Sequence, residues 1–168
     1  MCFGQDDVPD LAFEKARIIY NFGADFLETW GRPVENSRRL SESNAFDGKT
    51  NTELVHLSPH VSLTGAKSDR WVVINPGSEA MVALSIASVI RDQKGGYDFL
   101  SGMLAAFAPE KVAEATGVPA KKMEELAQNF IENSPGLALG GGPSSRNSNL
   151  TSLHVAINIL NAVSGNLG

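Results

Sequence analysis

An acidic residue follows a tight turn near the middle of the chain, at a position where ligand chemistry is expected. The turn Pro76-Gly77-Ser78-Glu79 separates the short apolar run Trp71–Ile74 from a long segment rich in Ala, Val and Ile. A carboxylate in the first turn of a helix gains about 0.3–1 kcal/mol from the helix dipole. Junctions of a strand, a turn and a helix are also where open α/β sheets bind nucleotides. Helix capping and ligand binding are therefore both open for Glu79.

Alternating strand and helix patterns surround this turn. Strands are predicted at Arg17–Phe22, Glu53–Leu57, Trp71–Ile74 and Gly136–Leu139. Helices are predicted at Glu28–Ser43, Ser78–Arg91, Asp98–Phe107, Pro109–Thr116, Pro119–Asn133 and Ser148–Ser164, with Ser78 as an N-cap. This alternation predicts an α/β fold, in which a doubly wound and mainly parallel sheet is covered by helices on both faces.

Turn-forming or small polar residues end each predicted strand. They are Gly23, Ser58, Pro76 and Gly140. Because the carboxyl ends of parallel strands lie at one edge of a sheet, we expect these turns to lie together where a ligand binds. The glycine run Gly140–Gly142 is compatible with a phosphate or pterin site and equally with an ordinary flexible loop.

Composition and charge exclude several classes of function. The chain has 168 residues, a net charge of −5 and one cysteine, Cys2. An acidic chain with scattered basic residues is not expected to bind nucleic acid, and no apolar run indicates insertion into a membrane. One cysteine and three dispersed histidines do not predict a metal site. His56 and His154 are interpreted as packing or solvent-facing residues.

The chain ends are interpreted as those of a fragment. Neither the start MCFGQDDVPD nor the end SGNLG has the character of a natural terminus. We expect residues 1–168 to be a single domain of a larger subunit.

Five segments of the chain resemble one known family. They are GADFLETW (Gly23–Trp30), SPHVSLTGAKSDRW (Ser58–Trp71), INPGSEAMVAL (Ile74–Leu84), TGVPAKKMEELAQNF (Thr116–Phe130) and LNAVSGNLG (Leu160–Gly168). The series resembles the molybdopterin oxidoreductases of the dimethyl sulfoxide reductase superfamily, in particular the large catalytic subunits of membrane-associated respiratory enzymes. The resemblance covers nearly the whole chain and implies a Rossmann-like interior domain.

The resemblance implies that this domain holds the guanosine and diphosphate of molybdopterin guanine dinucleotide. The family loop Gly-x-Asn, which approaches the diphosphate, appears here as Gly23-Ala24-Asp25, and Glu28 matches an acidic position of the same loop. Asp25 departs from the pattern, because a carboxylate beside a diphosphate is repelled.

A second family loop, Asp-Pro-Arg, meets the ribose and a phosphate. Here it reads Ser58-Pro59-His60, and Ser62 and Thr64 continue the pattern. Ser58 can exchange one hydrogen bond with a sugar hydroxyl, whereas the two acceptors of the usual acid are missing. His60 offers a weaker and pH-dependent charge than arginine.

The third family loop, Pro-Gly-Thr-Asp, receives the guanine base and appears here as Pro76-Gly77-Ser78-Glu79. By this resemblance Glu79 accepts hydrogen bonds from guanine. The parent implied is a bacterial or archaeal oxidoreductase with molybdenum or tungsten. It would couple a small substrate to electron transfer, with iron–sulfur and membrane-anchor subunits as partners. This chain alone is expected to position the cofactor through contacts shared with other domains, to carry no metal, and to catalyse nothing.

Two alternatives to this function stay open. The departures at Asp25, Ser58 and His60 also fit a domain that has lost its cofactor and serves as a structural scaffold of a respiratory-complex subunit. The other alternative is a stand-alone nucleotide-binding protein with the same fold and a different ligand.

Overall fold

A parallel sheet forms the centre of the chain. The computed structural model describes residues 10–44, 51–141 and 150–167. Within them the sheet has four strands, β1 (Ile18–Phe22), β2 (Glu53–Leu57), β3 (Arg70–Val72) and β4 (Gly136–Gly140), in the order β3-β2-β1-β4. The chain moves outwards from β1 to β3 and then crosses to the other side of β1, which is the doubly wound topology. The predicted fold class is confirmed.

Helices connect the strands and cover both faces of the sheet. In the described residues they are α1 (Pro33–Ser43), α2 (Leu63–Ala66), α3 (Glu79–Lys94), α4 (Ser101–Leu104), α5 (Pro109–Thr116), α6 (Ala120–Glu132) and α7 (Leu150–Ser164). Short 3-10 turns at Phe13–Lys15, Asp98–Leu100 and Ala105–Phe107 complete the connections. None of the helices in this described part combines the length and the hydropathy that crossing a bilayer requires.

Two apolar layers enclose the sheet. Leu40 of α1 packs with Phe13 and Ile19 on one face. The larger layer lies on the other face, where α3 packs against α6 and α7. All five residues of β1 are buried because both of its faces are covered. The hydroxyl of Tyr20 in this strand donates a hydrogen bond to the carbonyl oxygen of Leu126 at 2.7 Å.

Most predicted elements are present with small shifts of their ends. The strand Glu53–Leu57 and the helix Pro109–Thr116 have the predicted bounds. In that helix Pro109 occupies the first turn and Gly117, at a φ of 72°, follows the last residue. The last helix was predicted from Ser148, which lies outside the described residues.

Two helical predictions were wrong in detail. The helix predicted from Glu28 begins only at Pro33, because Gly31 has a φ of 68° and the residue before a proline avoids the helical conformation. The segment predicted as one helix at Asp98–Phe107 is one α-helical turn between two 3-10 turns. Gly102 lies in its middle and lowers its helix propensity. The short helix α2 was not predicted.

The outer edge of β4 is closed by side chains from the end of α7 and the loop after it. The side-chain amide of Asn161 accepts a hydrogen bond from the Ala138 N–H at 2.9 Å and donates one to the Ala138 carbonyl at 2.8 Å. The Gly136 N–H donates to the Asn166 side chain at 3.3 Å. Asn161 thus takes the place of a peptide group in a neighbouring strand. The N–H and C=O of Ala138 are therefore not available to pair with a strand of another chain.

Replacement of Asn161 should therefore destabilise the fold. Asn161→Ala leaves the buried N–H and C=O of Ala138 without partners, which costs about 1–3 kcal/mol of unfolding free energy. Urea denaturation followed by circular dichroism measures this loss as a lower midpoint with an unchanged slope.

Asn158→Ala is the matched control, since this asparagine lies on the same helix and makes no side-chain hydrogen bond within the described ranges. Its effect should stay within about 0.5 kcal/mol. Equal midpoints for the two variants would show that Asn161 does not close the edge.

Candidate functional site

The loops at the carboxyl ends of the strands lie along one edge of the sheet, as predicted. Gly23 follows β1, Ser58 follows β2, Asn75 belongs to the loop after β3, and Gly141 follows β4. The order of the strands reverses between β1 and β4. A crevice at such a reversal is where open α/β sheets receive ligands. This edge is therefore the candidate site.

The loop after β1 is held by a buried asparagine. Gly23 has a φ of 76°, a conformation that favours glycine. The Asn21 side chain accepts a hydrogen bond from the Ala24 N–H and donates one to the Ala24 carbonyl, both at 2.8 Å. These two bonds fix the turn and use the Ala24 amide, so that amide does not point to a ligand.

The same asparagine contacts a buried histidine of β2. Asn21 Nδ2 lies 3.1 Å from His56 Nδ1, and His56 Nε2 lies 3.3 Å from the carbonyl oxygen of His60. His56 is fully buried, as expected for a packing residue. Burial lowers the pKa of His56, because the charged ring would lose its hydration. Asn21 and His56 thus connect the loop after β1 to the loop after β2.

A second connection between these loops runs through Asp25. Its carboxylate accepts hydrogen bonds from the Thr64 hydroxyl at 2.7 Å and the Thr64 N–H at 3.2 Å. The Thr64 oxygen in turn accepts from the Leu27 N–H at 3.2 Å. Burial by itself raises the pKa of the Asp25 carboxyl, but the hydrogen bonds from Thr64 outweigh it and lower the pKa below its usual value.

The predicted residues of the loop after β2 divide between buried and exposed positions. Ser58 is buried, and its hydroxyl accepts a 3.4 Å hydrogen bond from the His60 N–H. The His60 ring is exposed. Ser62 begins α2, where its hydroxyl accepts from the Gly65 N–H at 3.2 Å. Only His60 of these three presents a side chain to solvent.

The loop after β3 is anchored against α5 and leads into α3. The Asn75 N–H donates to the Thr116 carbonyl at 2.8 Å. Ser78 lies at the predicted N-cap position but does not cap α3, since its hydroxyl donates to the Asn75 carbonyl at 2.6 Å. Pro76 and Gly77 are exposed, and Gly77 has a φ of 81°.

Glu79 is the buried acid at the start of α3. Its residue surface is 4% exposed. Its carboxylate forms no hydrogen bond or ion pair with the residues in ranges 10–44, 51–141 and 150–167. By contrast Glu28, the other predicted acid, is exposed in the turn before α1. Buried carboxylates are normally paired, so Glu79 differs from the other acids of this edge.

Sequence reasoning missed the residues that organise the edge. They are Asn21 and, in its bridging role, His56, whereas Thr64 was placed in the second family loop without its bond to Asp25. The available signal was weak: a polar residue within an otherwise apolar strand, two residues before the glycine of the turn.

His154 was predicted to pack or face solvent, and it is exposed beside Gly141, where an added Cβ would lie 2.6 Å from its ring. The described residues contain no cluster of three acidic, histidine or cysteine side chains that could hold a metal ion.

Comparison with known proteins gives consistent matches along the chain. The menaquinone reductase, molybdopterin-binding-like subunit of Nitratidesulfovibrio vulgaris is 30% identical over 133 residues, which are 76% of this chain and 19% of that protein. The dimethyl sulfoxide reductase DmsA of Haemophilus influenzae is 25% identical over 186 aligned residues, covering 92% of this chain and 23% of that protein. No protein-family model matches.

A solved structure has the same fold. Acetylene hydratase from Pelobacter acetylenicus superposes with a TM-score of 0.71 at 19% identity, over 92% of this chain and 22% of that one. The chain thus spans about a fifth of the length of the proteins it matches. The sequence matches confirm the family resemblance, and the structural match confirms the fold.

The carboxylate of Asp25 should make the stability of the chain depend on acid. Its folded pKa lies below the unfolded value of about 3.9, so its contribution is complete above that value and is lost as the pH falls through the folded pKa. Asp25→Asn keeps an acceptor for Thr64 without the charge. The substitution should lower the free energy of unfolding by roughly 1–2 kcal/mol at neutral pH, since hydrogen bonds to charged groups are the stronger ones. In acid the wild-type carboxylate is itself protonated, so the difference should be small.

Urea denaturation at neutral and acid pH measures both effects. Asp98→Asn is the control, because it makes the same change at an exposed aspartate. The side chain of Asp98 has no hydrogen-bond partner in the described residues. Identical pH profiles for the Asp25 variant and the wild type would contradict this role.

Proposed function

Because the chain is homologous to a segment of the molybdopterin-binding subunits of the dimethyl sulfoxide reductase family, we propose that it binds the guanosine and diphosphate end of molybdopterin guanine dinucleotide. Residues 1–168 are one domain of a longer catalytic subunit in this proposal. The metal carried by the pterin supplies the redox chemistry, and the residues of this chain hold the nucleotide end.

The environment of Glu79 carries the proposal. Glu79 lies at this edge of the sheet with 4% of its residue surface exposed, and its carboxylate has no partner among the described residues. Burying a charge without hydrogen bonds is costly, so a ligand that supplies donors at this place gains the compensation that the chain does not provide. Helix capping accounts for an acid in the first turn of α3, but an exposed carboxylate would serve the dipole equally well.

Guanine has the hydrogen-bonding edge that a carboxylate requires. Its N1–H and its exocyclic amine are adjacent donors, and the two carboxylate oxygens of Glu79 are acceptors at a matching separation. Adenine presents an acceptor nitrogen at the corresponding position, which would face a carboxylate oxygen. The acid therefore favours guanine over adenine.

The surrounding residues have separate tasks in this proposal. Pro76, Gly77 and Ser78 shape the turn that leads the base to Glu79, and the exposed Gly77 lets a ligand approach the backbone. Ser58, His60 and Ser62 border the sugar, with the exposed His60 ring able to reach a phosphate.

The loop after β1 faces the diphosphate in this arrangement. Gly23 offers close approach to the backbone, and Ala24 lines the loop with a small side chain. Asp25 acts as a positioning residue, since its charge is already engaged by Thr64. Glu28 lies at the exposed end of the same loop.

The full-length protein is proposed to be an oxidoreductase with molybdenum or tungsten that couples a small substrate to electron transfer. The relatives named as subunits indicate that it works with other chains. We propose that the remaining domains of the subunit complete the cofactor envelope, and that iron–sulfur and membrane-anchor subunits carry the electrons.

A scaffold without cofactor is the second candidate. Two observations favour it: Ala24, Asp25 and Ser58 use their polar groups inside the chain, and one relative is named molybdopterin-binding-like. In that case the network of loops would serve stability alone, and Glu79 would have no ligand.

Nucleotide binding by the chain tests the proposal. Calorimetric titration should show that GDP binds more tightly than ADP. Glu79→Gln places a donor against a guanine donor, which costs about 1–3 kcal/mol and lowers GDP affinity roughly ten- to a hundredfold. The melting temperature should not fall, because removal of an unpaired buried charge offsets the about 0.3–1 kcal/mol that a first-turn acid contributes.

Glu110→Gln is the matched control, since Glu110 is an exposed acid in the first turn of α5. It should leave GDP binding unchanged. Equal affinity for GDP and ADP, or a Glu79 variant that binds GDP normally, would refute the assignment of Glu79. Absence of all nucleotide binding would favour the scaffold.

A further inference from the structure

We propose that His56, held as the neutral tautomer with its proton on Nε2, positions the loop after β1 through Asn21, and that protonation of the ring releases this loop. Neither residue contacts the proposed ligand, so both are positioning residues. The inference rests on hydrogen-bond geometry within the chain, and only its ligand measurement rests on the proposed function.

The backbone of the β1 loop fixes the orientation of the Asn21 amide. Oδ1 accepts from the Ala24 N–H, and Nδ2 donates to the Ala24 carbonyl. Exchanging the two atoms would set donor against donor and acceptor against acceptor. The amide therefore has one orientation, and its second Nδ2 hydrogen points to His56 Nδ1 at 3.1 Å.

That orientation determines the tautomer of His56. Since Nδ2 of Asn21 is a donor, Nδ1 of His56 must be the acceptor. The proton of the neutral ring is then on Nε2, which donates to the His60 carbonyl at 3.3 Å. The ring thus transmits the position of the β2 loop to the β1 loop through two hydrogen bonds.

A protonated ring cannot keep this arrangement. Its Nδ1 would also be a donor and would face the donor of Asn21. The ring cannot move towards α2, because Gly65 packs against it so closely that an added Cβ would lie 2.7 Å from Cδ2. Asn21 must then turn away, and its two bonds to Ala24 break.

The charges around His56 oppose one another. Among the described residues, the backbone carbonyl of His60 and the carboxylate of Asp25 favour the charged ring, whereas the charge of the His60 ring disfavours it. Asn21 on β1, Gly65 on α2 and Trp71 on β3 are neutral neighbours. Burial is the largest influence and keeps the ring neutral until the pH falls below the usual histidine range.

Heteronuclear NMR of the isotope-labelled chain tests the coupling as the pH is lowered from about 8 to about 4, a window that extends below the usual histidine range. The expected ring spectrum at the higher pH has the proton on Nε2. As His56 titrates, the Ala24 amide should shift with the same midpoint and lose its protection from hydrogen exchange. A proton on Nδ1, or an Ala24 amide that does not follow the ring, would overturn the proposal.

Two substitutions separate positioning from simple packing. His56→Asn keeps an acceptor towards Asn21 and removes the titration, so Ala24 should stay protected at every pH. His56→Gln carries its amide nearer the Nε2 position, where it can donate to the His60 carbonyl, and leaves no acceptor at the Nδ1 position, so Ala24 should be less protected throughout. Equal behaviour of the two variants would contradict the mechanism, and the wild-type titration decides the question if either variant folds poorly. His154→Gln is the control and should leave the Ala24 transition unchanged.

GDP affinity provides a second measurement. It should fall roughly 5- to 150-fold across the His56 transition, as expected for one buried donor left unpaired, and should not fall in His56→Asn. A GDP affinity that is independent of this transition in the wild type would contradict the link to binding. Failure to bind GDP at any pH would contradict only the proposed function, because the tautomer and the Ala24 amide are observed without ligand.

Discussion

The hydrogen bonds of the buried Asn21 side-chain amide hold the loops of the candidate site, and the rest of this edge of the sheet depends on them. It lies at the end of β1, the strand that is covered on both faces, where water cannot satisfy a polar group. All of its hydrogen-bonding partners come from the chain: the backbone of Ala24 and the ring of His56. Because a buried network is stable only when every member is satisfied, the two neighbouring loops have one relative arrangement.

Two buried carboxylates at this edge have different environments. Oδ1 of Asp25 accepts two hydrogen bonds from Thr64, which strengthen the connection between the loops that Asn21 begins. Glu79 has no such partner in the described residues. The side chains around β1 and β2 are therefore joined by hydrogen bonds within the chain, whereas the carboxylate at the start of α3 is not.

Both outer strands of the sheet have edges that discourage pairing with another chain. Asn161 and Asn166 satisfy the outer edge of β4. At the opposite end, β3 is only three residues long and carries the exposed charge of Arg70. Short, charged or covered edges discourage pairing with other chains. The side chains that cover or charge these edges all belong to this chain, which spans about a fifth of the length of the proteins it matches.

The sequence by itself determined the strands, most of the helices and the edge at which the candidate residues lie. Apolar runs ending at turn residues predict parallel strands, and Pro109 and Gly117 mark both ends of a helix. The helix start at Pro33 was missed, although Gly31 and the position before Pro33 both disfavour an earlier start. Only the tertiary structure decided the partners: His56 is 35 residues from Asn21, and Thr64 is 39 from Asp25. Periodicity shows which face a side chain occupies, whereas hydrogen-bond partners across strands depend on register and loop conformation.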